Sequence, residues 1–145
     1  MKVSVDVSAE YKEPFAVIHT CEINEEVQRM LDLFANPEAP VTAFRNEEDI
    51  VILKPRDIYM IRVENGTTVI YDGSGKYRSN RRLYELNRQL GNQLMQISKS
   101  TLVNPAYMDS IEAGFGGTYL LKLKNGAKDY VTRTYLPAFK KYLGL

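Results

Sequence analysis

Lys99 sits between two serines in the run Ile97-Ser98-Lys99-Ser100-Thr101-Leu102-Val103-Asn104. An ammonium flanked by hydroxyls combines a point charge with hydrogen-bond donors, which suits a phosphate-rich partner. The apolar residues that follow read as a core strand closing on an asparagine, so the loop is anchored where it begins. A second group of cations, Lys76, Arg78, Arg81, Arg82 and Arg88, is opposed only by Glu85. The pattern assigns Arg81 and Arg82 to the first turn of a helix, where a cation opposes the helix dipole by about 0.3–1 kcal/mol. An anion at that helix end would reverse the sign by taking the free N–H groups and the guanidinium groups together. Ordinary solvated arginines would give the same pattern. Arg133 falls between a strand, Ala127–Thr132, and a helix that Thr134 starts, so its side chain is held at the rim of a sheet. Its planar fork suits bidentate contact to a guanine edge, and Asp129 is the competing partner within the chain.

Other chemistries do not assemble. His19 and Cys21 share a strand face, but metal sites use three or four ligands and no others cluster. A Cys-His nucleophile would lack an orienting third group. Gly73-Ser74-Gly75-Lys76 resembles the end of a phosphate-binding loop, but Ile70 and Tyr77 stand where that motif requires glycine and Ser/Thr. It reads as a hairpin turn, and so does Gly114-Phe115-Gly116-Gly117. The acidic side chains are scattered and suggest no paired-carboxylate hydrolase. The expectation is a non-enzymatic protein with no cofactor and no metal.

The elements that must position these residues can be read from the rest of the chain. Its 145 residues suffice for a sizeable core. A single cysteine excludes an internal disulfide and fits a reducing, cytoplasmic setting. No apolar run approaches the ~18 residues of a membrane span, and the charged, alternating N-terminus does not read as a signal peptide. The net charge of +1 hides an asymmetry. Residues 1–49 carry four basic and eleven acidic side chains, a balance of −7, whereas residues 50–145 carry fifteen and seven, a balance of +8. The basic part has the electrostatic footprint of a nucleic-acid binder, although two solvated faces of opposite sign would look alike.

Val3, Val5 and Val7 alternate with polar residues and predict a strand over residues 2–8. Phe15-Ala16-Val17-Ile18-His19 predicts a second. Asn24 can cap a helix carrying Val27, Met30, Leu31 and Phe34 on one stripe, stopped at Asn36-Pro37. The residues that follow predict short strands at Val41–Arg45, Ile50–Lys54, Ile58–Glu64, Thr67–Tyr71, Leu94–Ile97, Thr101–Asn104, Met108–Ala113, Tyr119–Lys124 and Ala127–Thr132. Asn65-Gly66 and Asn125-Gly126 mark two-residue hairpin turns. Two more helices are predicted. One is capped by Ser79 or Asn80 and buries Leu83, Leu86 and Leu90. The other is capped by Thr134, has Pro137 in its first turn, and buries Phe139, Tyr142 and Leu143. Many short strands with turn signals between them indicate a mainly β core.

These residues resemble a known family. Leu83-Tyr84-Glu85-Leu86, the Ile97–Asn104 run, Leu123-Lys124-Asn125-Gly126 and Val131-Thr132-Arg133-Thr134-Tyr135 occur in the order of the LytTR DNA-binding domain. The resemblance covers about residues 45–145, and Asp57-Ile58-Tyr59-Met60-Ile61 matches the family's opening strand. It implies an elongated, LytTR-like stack of small antiparallel sheets with short helices, preceded here by an N-terminal β-β-α unit, in a bacterial transcription regulator. It also implies that side chains on loops, not a recognition helix, enter successive major grooves of double-stranded DNA. Carried residue by residue, the contacts fall on Ser98, Lys99 and Ser100, on Arg133, and on the hairpin from Glu64 to Thr68, where Thr67 is the nearest candidate. Two departures stand out. The middle loop often reads His-Arg-Ser in the family, and the hairpin often carries a basic or histidine side chain.

The combined expectation is a cytoplasmic, sequence-specific DNA-binding regulator. Lys99 and Arg133 are its groove contacts, with Ser98, Ser100, Arg81 and Thr67 at phosphates or base edges. Residues 1–40 would form a dimerisation or control unit and residues 41–145 the DNA-binding domain. A homodimer is expected. Stand-alone members of the family, which lack a receiver domain, are often accompanied by a small inhibitory membrane protein. The alternative is a protein-interaction module that binds a membrane-bound or soluble regulatory partner.

Overall fold

The computed structural model describes residues 2–35, 39–91 and 93–145. Among these residues the strands form two antiparallel sheets. The larger contains β1 (Val41–Phe44), β2 (Ile50–Leu53), β3 (Met60–Glu64), β4 (Thr67–Tyr71), β5 (Lys76–Ser79), β6 (Met95–Ser98) and β7 (Thr101–Val103), in the order β2-β1-β5-β4-β3-β7-β6. The smaller contains β8 (Met108–Ala113), β9 (Tyr119–Leu123) and β10 (Lys128–Val131), in the order β10-β9-β8. The helices are α1 (Glu25–Ala35), α2 (Leu83–Leu90) and α3 (Leu136–Leu143). The mostly β reading therefore holds.

Successive side chains in a strand point to opposite faces, and the central strands here are buried on both. Ile61, Ile70 and Leu102 join Val41, Leu53 and the α2 leucines Leu83, Leu86 and Leu90 in one core. Their neighbours Met60 and Val103 join Ile97, Leu121, Leu123, Val131 and Phe139 in a second core, beneath the smaller sheet and α3. The larger sheet is thus the shared middle layer. Asn104 ties the end of β7 to the start of β3. Its side-chain amide donates to the Ile58 carbonyl at 2.9 Å and its Oδ1 accepts the Ala106 N–H at 3.0 Å.

Both Asn-Gly hairpins form, but only Asn65-Gly66 is the expected two-residue turn; at Asn125-Gly126 the glycine alone has positive φ, and the Leu123 N–H meets the Ala127 carbonyl across a three-residue loop. Asn65 and Gly66 have φ of 50° and 78°, the positive values a two-residue hairpin needs to match strand twist. β5 escaped the sequence reading because Lys-Tyr-Arg-Ser has one apolar side chain. It forms because β4 and β1 flank it, and Tyr77 packs onto the first core.

Several expectations need correction. The strands over residues 2–8 and 15–19 do not form, so the β-β-α unit reduces to an extended segment and a helix. Val3, Val5, Val7, Phe15 and Val17 are 66–89% exposed. An isolated two-stranded hairpin is marginal in water without an apolar layer beneath it. α1 supplies none, since it buries Val27 while Leu31 and Phe34 stay exposed. The helix itself starts as read, with Asn24 Oδ1 accepting the Val27 N–H at 3.0 Å. The proposed stop at Asn36-Pro37 lies outside the described residues. α2 begins after Arg82, which lies three residues past Ser79 and two past Asn80, so Arg81 and Arg82 precede the helix. Ser79 Oγ instead accepts the Arg81 N–H at 3.1 Å in the preceding turn. α3 begins after Tyr135 rather than Thr134, with Pro137 in its first turn. It buries Phe139 but leaves Tyr142 and Leu143 exposed, because it covers only the end of the second core.

Candidate nucleic-acid interface

Strand register decides which of the singled-out residues meet. β3 pairs with β7 through Arg62 and Thr101, and the Val63 N–H donates to the Ser100 carbonyl at 2.9 Å. The Asn65-Gly66 hairpin and the Lys99-Ser100 turn therefore lie side by side at one end of the larger sheet. Thr68 pairs with Ser79, which brings residues 80–82 to the same end. The Thr132 N–H donates to the Ile97 carbonyl at 3.0 Å, drawing in the junction that carries Arg133. Thr67, Lys99, Ser100, Arg81 and Arg133, far apart in the chain, thus share one end of the molecule.

Their roles differ. Lys99 and Ser100 are exposed at the tip of a two-residue turn between Ser98 and Thr101. Ser98 is buried, and its Oγ accepts the Ser100 N–H at 3.2 Å. It braces the turn and presents nothing at its surface. Arg133 is exposed, and its Nε donates to the Gly116 carbonyl at 2.8 Å. While Asp129, the competing partner, meets Arg62 and Thr101, that bond fixes one edge of the guanidinium. Gly117 lies beneath it, where a Cβ would approach Nε to 3.4 Å. Thr67 is half-buried. Arg81 is committed within its own segment, to Glu85 at 3.7 Å and to Gln89. The run of cations from Lys76 to Arg88 does not converge on one patch. Lys76 pairs with Tyr71 at the opposite end of the sheet, and Arg78 lies over the Phe44 ring.

Sequence reasoning missed the group that holds this end together. Arg62 donates to Glu64 Oε1 and to the Lys128 carbonyl, and it lies 3.7 Å from Asp129. Asp129 accepts the Thr101 hydroxyl at 2.6 Å, and the Tyr71 hydroxyl donates to Glu64. Burial disfavours the Glu64 carboxylate, but the Tyr71 hydroxyl and the Arg62 guanidinium outweigh it and hold its pKa below the ordinary 4.5. Burial raises the pKa of the Tyr71 phenol, reinforced by its bond to Glu64. Arg62 and Glu64 share a strand face two residues apart, which sequence could have flagged. Asp129 lies in another sheet and left no local signal. Among the described residues no group of acids, histidines or cysteines is arranged to hold a metal, and no helix is long and apolar enough to cross a membrane.

A larger sheet between two cores, with the exposed Lys99 turn and the exposed Arg133 junction at one end, defines a β-scaffold domain rather than a helix-based one. The chain belongs to the LytTR family. The model of the LytTr DNA-binding domain matches residues 48–144. Along its whole length the chain is similar to an uncharacterized HTH-type transcriptional regulator of Staphylococcus aureus (strain MSSA476), with 27% identity over 100% of this chain and 99% of that one. It is 31% identical to the sensory transduction protein LytR of Staphylococcus haemolyticus (strain JCSC1435), over 76% of this chain and 43% of that protein. The fold is shared with a Bacillus cereus structure described as the LytTr DNA-binding domain of a methyl-accepting/DNA response regulator. There the TM-score is 0.67 and the identity 19%, over 74% of this chain and 99% of that one. Among the described residues no two helices are consecutive in the chain, so no helix-turn-helix pair is present here.

Proposed function

We propose that this protein is a sequence-specific, DNA-binding transcription regulator that reads double-stranded DNA through the turns at one end of its larger sheet. The observation that carries this reading is the gathering of Lys99, Ser100, Thr67 and Arg133 at that end by strand register. A two-stranded turn, with strands about 4.8 Å apart, is narrower than the ~12 Å major groove. Lys99 at such a tip can meet phosphates, and Arg133, anchored through Nε, can offer its remaining N–H groups to a guanine edge. Ser100 and Thr67 add hydroxyl contacts. Arg81 has a lesser part, since Glu85 and Gln89 already hold it. Ser98 acts by bracing the turn. The regulator works as a homodimer, with residues 41–145 as the DNA-binding domain.

The test is binding to fragments selected from a random DNA pool, measured across salt concentrations. A reader making about six phosphate contacts shows a log–log salt slope near −5. A flat response, or selection that yields no enriched sequence, would overturn the reading and favour a protein-interaction module.

A further inference from the structure

β2 is the outermost strand of the larger sheet, and nothing among the described residues pairs with its free edge. Its outward side chains, Ile50 and Ile52, are 63% and 71% exposed. Bare apolar edges invite pairing with another chain, and proteins normally blunt them. Nearer the N-terminus lies a segment with the complementary defect. Residues 2–8 have no strand partner, yet Val3, Val5 and Val7 alternate as a strand requires and are 82–89% exposed. We infer that this segment from one copy adds to the β2 edge of a second copy, and the reverse, giving a two-fold, strand-exchanged dimer.

Three features choose this occupant. The spacing matches, because Val3 and Val5 can stand opposite Ile50 and Ile52 on one face of the extended sheet. The charges match when the segment runs parallel to β2. Lys2 then faces the acidic turn Glu47-Glu48-Asp49, while Asp6 and Glu10 lie along the end that continues into Lys54 and Arg56. Symmetry also favours it, because each strand addition forms twice, with its backbone hydrogen bonds and the lateral contacts of the exposed Val3, Val5, Ile50 and Ile52. The exchange is isologous, so it closes at two copies. It also explains why the strands expected near the N-terminus do not form within a single chain. The inference rests on the homodimer proposed above and specifies where its surface lies.

Sedimentation of the full chain tests it without DNA. The wild type sediments as a dimer. Val5→Asp, on an exposed segment that cannot unfold the core, raises the dimer dissociation constant about 100-fold or more, because the change occurs twice in a two-fold interface. Ile52→Lys does the same. In a Cys21→Ser background, Val5→Cys combined with Ile52→Cys gives a disulfide-linked dimer on oxidation. A monomeric wild type, a Val5→Asp variant that dimerises normally, or a disulfide closed within one chain would each overturn the inference. Binding of Val5→Asp to a single half-site is scored separately, so failure of the dimer and failure of the DNA reading are distinguishable.

Discussion

At the scale of single residues, the difference between Lys99 and Arg133 is one of geometry. Lys99 is an exposed point charge at a turn tip, whereas Arg133 is a planar fork held at Nε by the Gly116 carbonyl. Replacing Arg133 by alanine is expected to cost about 1–3 kcal/mol on a selected site and to relax base preference. Replacing it by lysine should restore charge but not preference. Lys99→Ala should weaken selected and random DNA alike and reduce the salt slope by about one. Competition binding with both DNA classes checks this, and wild-type affinity in both alanine variants would remove these residues from the interface. Asn104 matters for a different reason. It is buried and satisfies a carbonyl and an N–H at once. Asn104→Ala leaves those groups without partners, and a loss of about 1–3 kcal/mol is expected in urea unfolding.

At the scale of elements, the question is what holds a turn of one sheet beside a junction of the other. Arg62 on β3 reaches the Lys128 carbonyl and Asp129 on β10, while Asp129 takes the Thr101 hydroxyl at the start of β7. These contacts set Lys99 relative to Arg133, together with the bond from Thr132 to Ile97. Asp129→Asn keeps the shape and removes the charge that faces Arg62. The expectation is a small change in melting temperature but a loss of discrimination between selected and random DNA. If discrimination survived unchanged, the two contacts would not depend on this linkage. The same elements show where sequence falls short. The Asn65-Gly66 hairpin was legible because positive φ at two successive positions is a local demand, whereas at Asn125-Gly126 only the glycine takes it. β5 was not, because its stability comes from neighbours on both sides and not from its own pattern. The N-terminal alternation predicted strands that do not form, because among the described residues they find no partner.

At the scale of the whole molecule, the charge network gives stability a dependence on pH. The folded-state pKa of Glu64 lies below the ordinary 4.5. Asp72 also falls below its ordinary 3.8. Burial opposes this, but the Ser74 and Gly75 N–H groups and the Tyr77 hydroxyl outweigh it. Groups with depressed pKa contribute stability that is present above the unfolded-state value and lost as pH falls through the folded-state value. Melting temperature should therefore drop below about pH 4.5. Glu64→Gln should flatten that limb relative to wild type, and identical acid limbs would show that the carboxylate is not stabilised by its partners. The sequence by itself determined the mainly β class, the hairpins, the leucine stripe of α2 and the types of side chain able to meet a phosphate or a base edge. These follow from local dihedral preferences and from periodicity, which short windows of chain contain. Only the tertiary structure decided that Thr67, Lys99 and Arg133 meet at one end, that Ser98 braces while Ser100 is presented, and that Arg81, just before α2, is held by Glu85 and Gln89. Those outcomes depend on register between strands distant in sequence, and register is set by two cores packing on opposite faces of one sheet.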